Sequence, residues 1–176
     1  MNYLEKEIVV IGLGYVGLPL AIKLSNSFNV IGYDISVNRI KELKNNNDKT
    51  KEVSEKFLKA SKKLRFTNNL KDISDKYVYI ITVPTPVNKN KMPNLVHIEK
   101  ACRDVGKIMA QKSIVIFEST VYPGVTEKIC GPIIHKQSGY KLNKDFYLGY
   151  SPERINPGDK KHSVEKIVKV VSGSNK

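Results

Sequence analysis

Three glycines near the start of the chain have the spacing with which a backbone approaches a phosphate group. Gly12, Gly14 and Gly17 form the pattern G-x-G-x-x-G, directly after an apolar run and at the start of an apolar helical pattern. The first glycine permits a tight turn, the second leaves room for a pyrophosphate, and the third lets helix and strand pack closely. Free N–H groups at the start of a helix favour the same anion. The candidate dinucleotide-binding residues are Gly12, Leu13, Gly14, Tyr15, Val16 and Gly17.

An acidic residue at the end of the second apolar run supports this interpretation. Asp34 follows the stretch NVIGY, about twenty residues after the glycines, where a carboxylate accepts hydrogen bonds from both hydroxyls of an adenosine ribose. The structural alternative is a glycine-containing turn and an acid that caps the next helix. Because a strand, the glycines, a helix, a second strand and the acid follow one another in this order, we favour dinucleotide binding. We expect NAD rather than NADP, since a carboxylate repels the added phosphate.

The elements that must position these residues follow from the hydrophobic period. Apolar runs predict strands, and the stretches between them have helical length and period. The predicted strands are EIVVIG, FNVIGYD, LRFT, KYVYIITVP, SIVIFEST, DFYLGYSPERI and KIVKVVSGSNK. Helices are predicted after the glycines, from about Ser36, from Ser54 to Lys63, in NLVHIEKACRDVGKIMAQK, and in GVTEKICGPIIHKQSG with an interruption near Pro132. The alternation predicts an α/β, Rossmann-like fold, with a doubly wound, mostly parallel sheet and helices on both faces.

Three loops follow predicted strands and carry polar residues. They are Thr82–Pro86 (TVPTP), Glu118–Gly124 (ESTVYPG) and Tyr150–Asp159 (YSPERINPGD). The prolines of the first loop are also explained by a need for stiffness alone. Ligands of doubly wound sheets bind at the carboxyl ends of the strands. We therefore expect the three loops to form a pocket beside the dinucleotide.

Composition limits the function classes. The 176 residues suffice for one buried core, and we predict a single domain over residues 1–176. The net charge of +13 is compatible with a nucleic-acid-binding protein, whose affinity would depend steeply on salt. The basic excess is densest in residues 41–63, however, where lysines alternate with acids as on a solvated helical face; these acids are Glu42, Asp48, Glu52 and Glu55. Because arginine is scarce and aromatic residues do not interleave with basic ones, we expect no nucleic-acid partner.

The remaining composition predicts a cytoplasmic protein without a membrane partner. The opening stretch MNYLEKEIVVIG has acidic residues on both sides of its first lysine and only a short apolar run, unlike a signal peptide or a membrane span. Cys102 and Cys130 have no Cys-x-x-Cys spacing and no neighbouring histidine. We expect both to be buried thiols, and we predict no metal site.

Five motifs occur in a fixed order along the chain: GLGYVGLPLA, Asp34 followed five residues later by Arg39, VPTP, STVYPG and SPERINPGD. Together they resemble the amino-terminal half of the UDP-glucose/GDP-mannose dehydrogenase family over essentially the whole chain. The forms of the last two loops resemble the branch that oxidises UDP-N-acetylhexosamines, such as the dehydrogenases of polysaccharide and Vi-antigen synthesis.

The resemblance implies an enzyme of surface polysaccharide biosynthesis. The reaction would be NAD-dependent oxidation of the primary alcohol of a UDP-sugar to a carboxylate, in two hydride transfers with two NAD molecules per product. The implied partner is the UDP-sugar, and the full-length form is expected to be a homodimer or a larger oligomer. The alternatives are a UDP-glucose 6-dehydrogenase and a stand-alone NAD-binding regulatory module without turnover.

The resemblance also implies which residues bind the cofactor. The glycine segment would hold the pyrophosphate, Asp34 the ribose, and Arg39 the adenine or the edge of its ribose. Val83, Pro84 and Thr85 would line the nicotinamide side, and Ser119 and Thr120 are two further implied cofactor-binding positions.

Two residues are implied in catalysis. Thr120 would position the water or alcohol oxygen near the reacting carbon, a task that suits a hydroxyl because it both donates and accepts hydrogen bonds. Glu153 would assist proton transfer or the final hydrolysis, and its alternative role is a surface salt bridge with Arg154. The positions implied in binding the sugar or its diphosphate are Glu153, Arg154, Ile155 and Asn156.

One part of the family's catalytic apparatus has no counterpart in these residues. The family's nucleophilic cysteine, which captures the aldehyde as a thiohemiacetal, belongs to a carboxy-terminal portion, and no segment similar to GGSCFPKD occurs here. Cys102 and Cys130 lack that context. The chain is therefore expected to be a cofactor domain, without the central helix and the UDP-sugar-binding domain, that binds NAD without turning over a UDP-sugar.

Overall fold

A seven-stranded sheet forms the centre of the computed structural model, which describes residues 2–88, 90–152 and 169–175. Its strands lie in the order β3-β2-β1-β4-β5-β6-β7. They are β1 (Ile8–Ile11), β2 (Val30–Tyr33), β3 (Leu64–Thr67), β4 (Val78–Ile81), β5 (Ser113–Phe117), β6 (Phe146–Tyr150) and β7 (Ser172–Gly173). The first six are parallel, and β7 pairs antiparallel with β6. The predicted Rossmann-like fold is confirmed.

Helices connect the parallel strands. They are α1 (Gly17–Ser25), α2 (Val37–Lys44), α3 (Glu55–Ala60), α4 (Val96–Ile108) and α5 (Gly131–Ser138). Two short 3-10 turns, Tyr3–Glu5 and Leu70–Ile73, complete the helical elements together with a π-helical turn, Thr126–Cys130. None of the helices in the described ranges is both long and apolar enough to cross a membrane.

Each strand in the middle of the sheet buries side chains on both faces. In β1, Val9 and Ile11 belong to one apolar core, and Ile8 and Val10 belong to the other. This division follows from the two-residue period of a strand, which sends successive side chains to opposite faces. Helices α4 and α5 cover the first core, and helices α1, α2 and α3 cover the second. A sheet covered on both faces needs the continuous apolar runs that the sequence shows.

The order of the strands reverses between β1 and β4. From β1 the chain proceeds outward to β2 and then β3, and it then returns to pair β4 with the other side of β1. The loops that follow β1 and β4 therefore leave the sheet in opposite directions. Such a switch point opens a crevice at the carboxyl ends of the strands.

Two details of the predicted elements differ from the structure. The helix interruption expected near Pro132 lies upstream, in the π-helical turn, and Pro132 occupies the first turn of α5, where its missing N–H is harmless. The predicted last strand, KIVKVVSGSNK, comprises only the Ser172–Gly173 pair within the part that the structure describes. The expectation that both cysteines are buried thiols is confirmed.

Candidate functional site

A cavity of about 600 Å³ lies at the switch point between β1 and β4. Residues from the glycine segment, the end of β2 and the loops after β4 and β5 form its walls. The sequence-predicted residues that line it are Gly12, Gly14, Tyr15, Val16, Asp34, Val83, Pro84, Thr85, Ser119 and Thr120. Residues that are far apart in the sequence thus meet in one crevice because the strands are parallel and end at the same edge.

The glycine segment forms a tight turn that is hydrogen-bonded to Thr82, the residue after β4. Gly12 has a φ of 94°, a conformation that side chains strongly disfavour. Its carbonyl accepts a hydrogen bond of 2.6 Å from the Thr82 hydroxyl, which follows β4. At Gly17, an added Cβ would overlap both the Gly12 carbonyl and that hydroxyl, so only glycine allows α1 to begin this close to the turn.

Gly14, unlike Gly17, is not crowded by neighbouring atoms of the chain. A Cβ added there would meet no atom of the chain within 4 Å, and Gly14 lines the cavity. The N–H groups of Gly14, Tyr15 and Val16 find no hydrogen-bond acceptor among the described residues. The turn therefore offers unobstructed backbone donors at the amino-terminal end of α1, an arrangement that suits an anionic group.

Asp34 connects the end of β2 to the glycine turn. Its Oδ2 accepts the Leu13 N–H at 2.9 Å, and its Oδ1 accepts the Ser36 N–H at 2.9 Å. It does not cap the next helix, because the side chain of Ser36 is the N-cap of α2. Each carboxylate oxygen retains a second lone pair, and the half-buried side chain lines the cavity. Asp34 can therefore accept further hydrogen bonds from a ligand.

Three of the predicted cofactor residues do not line the cavity. The side chain of Leu13 is buried under α1, and Gly17 is buried at the start of that helix. Arg39 is only 9% exposed and points beneath the turn, where its Nε donates to the Leu13 carbonyl at 2.8 Å. Its terminal nitrogen pairs with Asp48 Oδ1 at 2.8 Å. Arg39 thus contacts the turn from the protein side.

Asp48 corrects one sequence-based expectation. Within a lysine-rich stretch it was expected to belong to a solvated face, but only 8% of the residue is exposed. The reason is that its carboxylate accepts hydrogen bonds from residues 50, 52 and 53 in place of water and forms an ion pair with Arg39. Burial raises the pKa of this carboxyl, but the hydrogen bonds of Thr50 and Val53 and the Arg39 guanidinium lower it by a larger amount. The net pKa therefore lies below its usual value.

Stability should depend on pH through Asp48. We expect Asp48→Asn to lower the free energy of unfolding at pH 7 by about 1.5 kcal/mol. A carboxyl whose pKa is lowered by folding contributes stability above its unfolded-state pKa of about 3.9, and this stability is lost as the pH falls toward the folded-state pKa. In urea titrations, the free energies of unfolding of the two proteins should therefore begin to converge as the pH falls below about 4. A difference that stays constant under acidic conditions would contradict this role for the Asp48 charge.

The loops after β4 and β5 are joined by two short hydrogen bonds. The Ser119 hydroxyl donates to the Val83 carbonyl at 2.6 Å, and the Thr85 hydroxyl donates to the Thr120 carbonyl at 2.6 Å. Ser119 is buried, whereas Thr120 is exposed at the cavity wall. The hydroxyl of Thr120 has no hydrogen-bond partner among the described residues. That hydroxyl is therefore available to a molecule in the cavity.

Sequence reasoning missed several residues of the cavity. Thr82 and Glu118 each follow a buried strand and belong to the two loops expected to form the pocket, but no individual binding or catalytic role was predicted for either. Glu118 is buried and forms an ion pair with Lys169. Helix α4 adds His97, Lys100 and Asp104, whose spacing places them on one helix face. Nothing in the sequence marks that face, because its position depends on how α4 packs.

Tyr33 contributes a buried phenol to the same wall. Burial raises its pKa, and the negative charges of Asp104 and Asp34 raise it further. The phenol is therefore neutral at physiological pH and able to donate a hydrogen bond toward the cavity.

Other predicted residues have no place in the described site. Glu153, Arg154, Ile155 and Asn156 lie outside the described residues. The two cysteines are buried away from the cavity, and contact with the Cys130 thiol together with burial raises the pKa of Cys102. A thiol with a raised pKa is a poor nucleophile, so Cys102 lacks a catalytic environment, and Cys130 is buried and does not line the cavity.

Comparison with known proteins agrees with this geometry. A profile described as "UDP-glucose/GDP-mannose dehydrogenase family, NAD binding domain" matches residues 6–176. The chain belongs to this family. It is 52% identical over 170 residues to protein CapL of Staphylococcus aureus, and 51% identical over 170 residues to a UDP-N-acetyl-D-glucosamine 6-dehydrogenase of Pseudomonas aeruginosa. Each alignment covers 97% of this chain but 40% of the relative, so the chain spans less than half the length of these proteins.

Solved structures in the family share the fold. A UDP-D-ManNAc dehydrogenase from Pyrococcus horikoshii superposes with a TM-score of 0.82 at 32% identity, covering 95% of this chain and 41% of that one. An NDP-N-acetyl-D-galactosaminuronic acid dehydrogenase from Methanosarcina mazei Go1 superposes with a TM-score of 0.87 at 28% identity, covering 97% and 39%. The predicted family resemblance, including its UDP-N-acetylhexosamine branch, is confirmed by these similarities.

NAD is the cofactor of this family domain, and the residues of the structure fit it. The open space at Gly14 and the unpaired donors beside it fit a pyrophosphate. The free lone pairs of Asp34 fit the two hydroxyls of a ribose. The tyrosine and the apolar residues between α4 and the sheet fit an aromatic base; they include Tyr33, Leu70, Ile73, Ala101 and Val105.

Proposed function

We propose that the chain is the NAD-binding part of a UDP-sugar 6-dehydrogenase, which oxidises the primary alcohol of the sugar to a carboxylate in two NAD-dependent steps. The observation that carries this proposal is the cavity at the switch point, where open backbone donors and the Asp34 carboxylate face the same space. Bound NAD accepts a hydride from the carbon that is oxidised. The residues of this chain bind and orient it.

Each wall of the cavity receives a role in this proposal. The N–H groups of the glycine turn bind the pyrophosphate, and Asp34 binds the adenosine ribose. Val83, Pro84 and Thr85 line the nicotinamide side, because they leave the sheet on the opposite side of the switch point from β2. Ser119 holds the loops after β4 and β5 together through the Val83 carbonyl.

Thr120 is the proposed catalytic residue of the described part. Its unpartnered hydroxyl lies on the cavity wall beside the nicotinamide side, where it positions the alcohol or water oxygen. Glu153 is proposed to assist proton transfer or hydrolysis, and Arg154, Ile155 and Asn156 are proposed to contact the sugar or its diphosphate. Support for these four positions is the family resemblance of their motif.

The proposed substrate is a UDP-N-acetylhexosamine. The relatives that are 51% identical to this chain over 170 residues include UDP-N-acetyl-D-glucosamine 6-dehydrogenases of Pseudomonas aeruginosa and Salmonella typhi. We also propose that the complete enzyme works in the cytoplasm, where nucleotide sugars are the substrates for surface polysaccharides, and that it forms a homodimer or a larger oligomer. The chain as a single domain over residues 1–176 is part of the same proposal.

Cofactor preference tests the role of Asp34. We expect the 176-residue chain to bind NAD at least about tenfold more tightly than NADP, or about 1.4 kcal/mol, because the carboxylate bonds free ribose hydroxyls and repels a phosphate. Asp34→Ala should narrow that gap, mainly by weakening NAD. Calorimetric titrations of both proteins with both cofactors measure this. Equal affinities of the wild type for NAD and NADP would contradict the assignment, and no binding of either would contradict the proposed function.

A further inference from the structure

We propose that Asp48 is a positioning residue for the cofactor turn, acting through Arg39. The pair holds the Leu13 carbonyl and thereby aims the Gly14 N–H into the cavity. This inference rests on the proposed function, since it assumes that the turn binds the pyrophosphate of NAD. It assigns a role to two charges outside the cavity lining: Arg39 contacts the turn through the Leu13 carbonyl, and Asp48 contacts Arg39.

Asp48 is anchored by its own loop. Its Oδ1 accepts the Thr50 N–H at 3.0 Å and the Thr50 hydroxyl at 2.6 Å. Its Oδ2 accepts the N–H groups of Glu52 and Val53, each at 3.0 Å. The side chain is fully buried, and the Arg39 guanidinium lies 2.8 Å from Oδ1. A carboxylate held by this many donors keeps one orientation, so it presents a fixed anion to Arg39.

Arg39 connects that anion to the glycine turn. It lies in the first turn of α2, where its own N–H is bound by the Ser36 side chain. Its Nε donates to the Leu13 carbonyl at 2.8 Å while its terminal nitrogen pairs with Asp48. A planar guanidinium can donate from Nε in a fixed direction while its delocalised charge pairs with a carboxylate, which a lysine ammonium on a flexible chain does not do.

The geometry of the peptide group transmits this contact to the cavity. The Leu13 carbonyl and the Gly14 N–H belong to one planar trans peptide, so they point in opposite directions. Arg39 binds the carbonyl from the buried side, and Gly14 lines the cavity with no acceptor for its N–H among the described residues. The preceding peptide is held separately, because Asp34 accepts the Leu13 N–H. Two successive peptides of the turn are therefore each fixed by a side chain.

A purely stabilising role explains this arrangement less well. Burying a charge pair offers little net stability compared with apolar side chains of similar size. Arg39 does not line the cavity, so its effect on the cofactor is indirect. N–H groups that are already oriented lose less conformational freedom when the cofactor binds. The resulting gain in affinity is largest where the backbone would otherwise rotate, as in a turn that contains glycine.

The test compares NAD affinity and stability in the wild type and four variants. We expect Arg39→Lys, which keeps the charge beside Asp48, and Asp48→Asn each to raise the Kd for NAD about tenfold. The double variant should bind NAD no more weakly than the weaker-binding single variant, because both changes interrupt the same connection from Asp48 through Arg39 to Leu13. Asp145→Asn is the control: it removes a carboxylate that accepts the Lys141 N–H and the Gln111 side-chain amide, far from the cavity. It should lower stability and leave the Kd for NAD unchanged.

The resonance of the Gly14 backbone amide distinguishes a positioning role from a purely stabilising one. In nuclear magnetic resonance spectra of the ligand-free chain, well below the unfolding temperature, Arg39→Lys and Asp48→Asn should shift the Gly14 amide resonance, and Asp145→Asn should not. If folded Arg39→Lys and Asp48→Asn variants bind NAD as tightly as the wild type, while Asp34→Ala binds it weakly, the positioning role is wrong and the NAD site stands. If the wild type does not bind NAD, the proposed function fails.

Discussion

Gly14→Ala is expected to weaken NAD binding about a hundredfold, or about 2.7 kcal/mol, without destabilising the fold. A methyl group at this position meets no atom of the chain within 4 Å, so the protein accepts it. Alanine at a conformation it can adopt even restricts the unfolded chain and adds slight stability. The methyl group instead enters the space proposed for the pyrophosphate. The expected result is thus a loss of function at full stability.

Gly17→Ala is the matched change, three residues further along the same turn. Its methyl group would overlap the Gly12 carbonyl and the Thr82 hydroxyl, and a backbone atom cannot move aside as a side chain can. We expect the free energy of unfolding to fall by about 3 kcal/mol, the upper part of the range for overpacked sites. Thermal unfolding and NAD calorimetry on both variants separate the two roles. A stability loss in Gly14→Ala, or none in Gly17→Ala, would contradict the geometry of the turn.

Thr120→Val should lower turnover about a hundredfold, a typical loss for a group that acts directly on the reacting atoms. Valine keeps the shape of threonine and removes only the hydroxyl, whose oxygen has no partner in the described part of the protein. NAD affinity should change little, because the Thr120 carbonyl still accepts the Thr85 hydroxyl. Thr120→Ser, which keeps the hydroxyl, should retain most of the activity.

The turnover measurement uses a longer protein, because this chain covers 40% of the Pseudomonas aeruginosa relative and the proposed function places the nucleophilic cysteine in the remaining part. A suitable protein is a chimaera in which the 176 residues replace the corresponding part of the Pseudomonas aeruginosa relative, which is 51% identical over 170 residues. The absorbance of NADH reports turnover with UDP-N-acetylglucosamine. Equal rates for the chimaera with threonine and with valine at position 120 would remove Thr120 from catalysis.

The fold and the centre of the site could be predicted because they depend on local patterns. The glycine spacing and Asp34 lie within one strand-helix-strand unit, so their order along the chain already implies their proximity. The loops after β4 and β5 could be placed at the same edge because parallel strands end together. Thr82 lies in one of these loops, and the same rule placed it at the pocket, although its hydrogen bond to the glycine turn could not be predicted.

Asp48 and Arg39 could not be predicted in the same way. In the sequence Asp48 is one acid among lysines, which is typical of a solvated surface. Its burial depends on a turn of the loop after α2 that brings several donors to a single carboxylate. Arg39 was expected to contact the adenine or the edge of its ribose, and the sequence did not indicate that its guanidinium lies between this carboxylate and the Leu13 carbonyl. Hydrophobic period carries no information about such long-range pairing of charges.

The hydrogen bonds between the loops after β4 and β5 have a consequence for local opening. Because Ser119 binds the Val83 carbonyl and Thr85 binds the Thr120 carbonyl, neither loop can lift from the sheet without breaking bonds to the other. The two loops thus form one cooperative unit in local unfolding. A ligand that orders the first loop has already met part of the entropic cost of ordering the second. If the proposed roles of the two loops hold, we expect NAD bound against the loop after β4 to favour ligand binding at the loop after β5, with no change in the average shape of the protein.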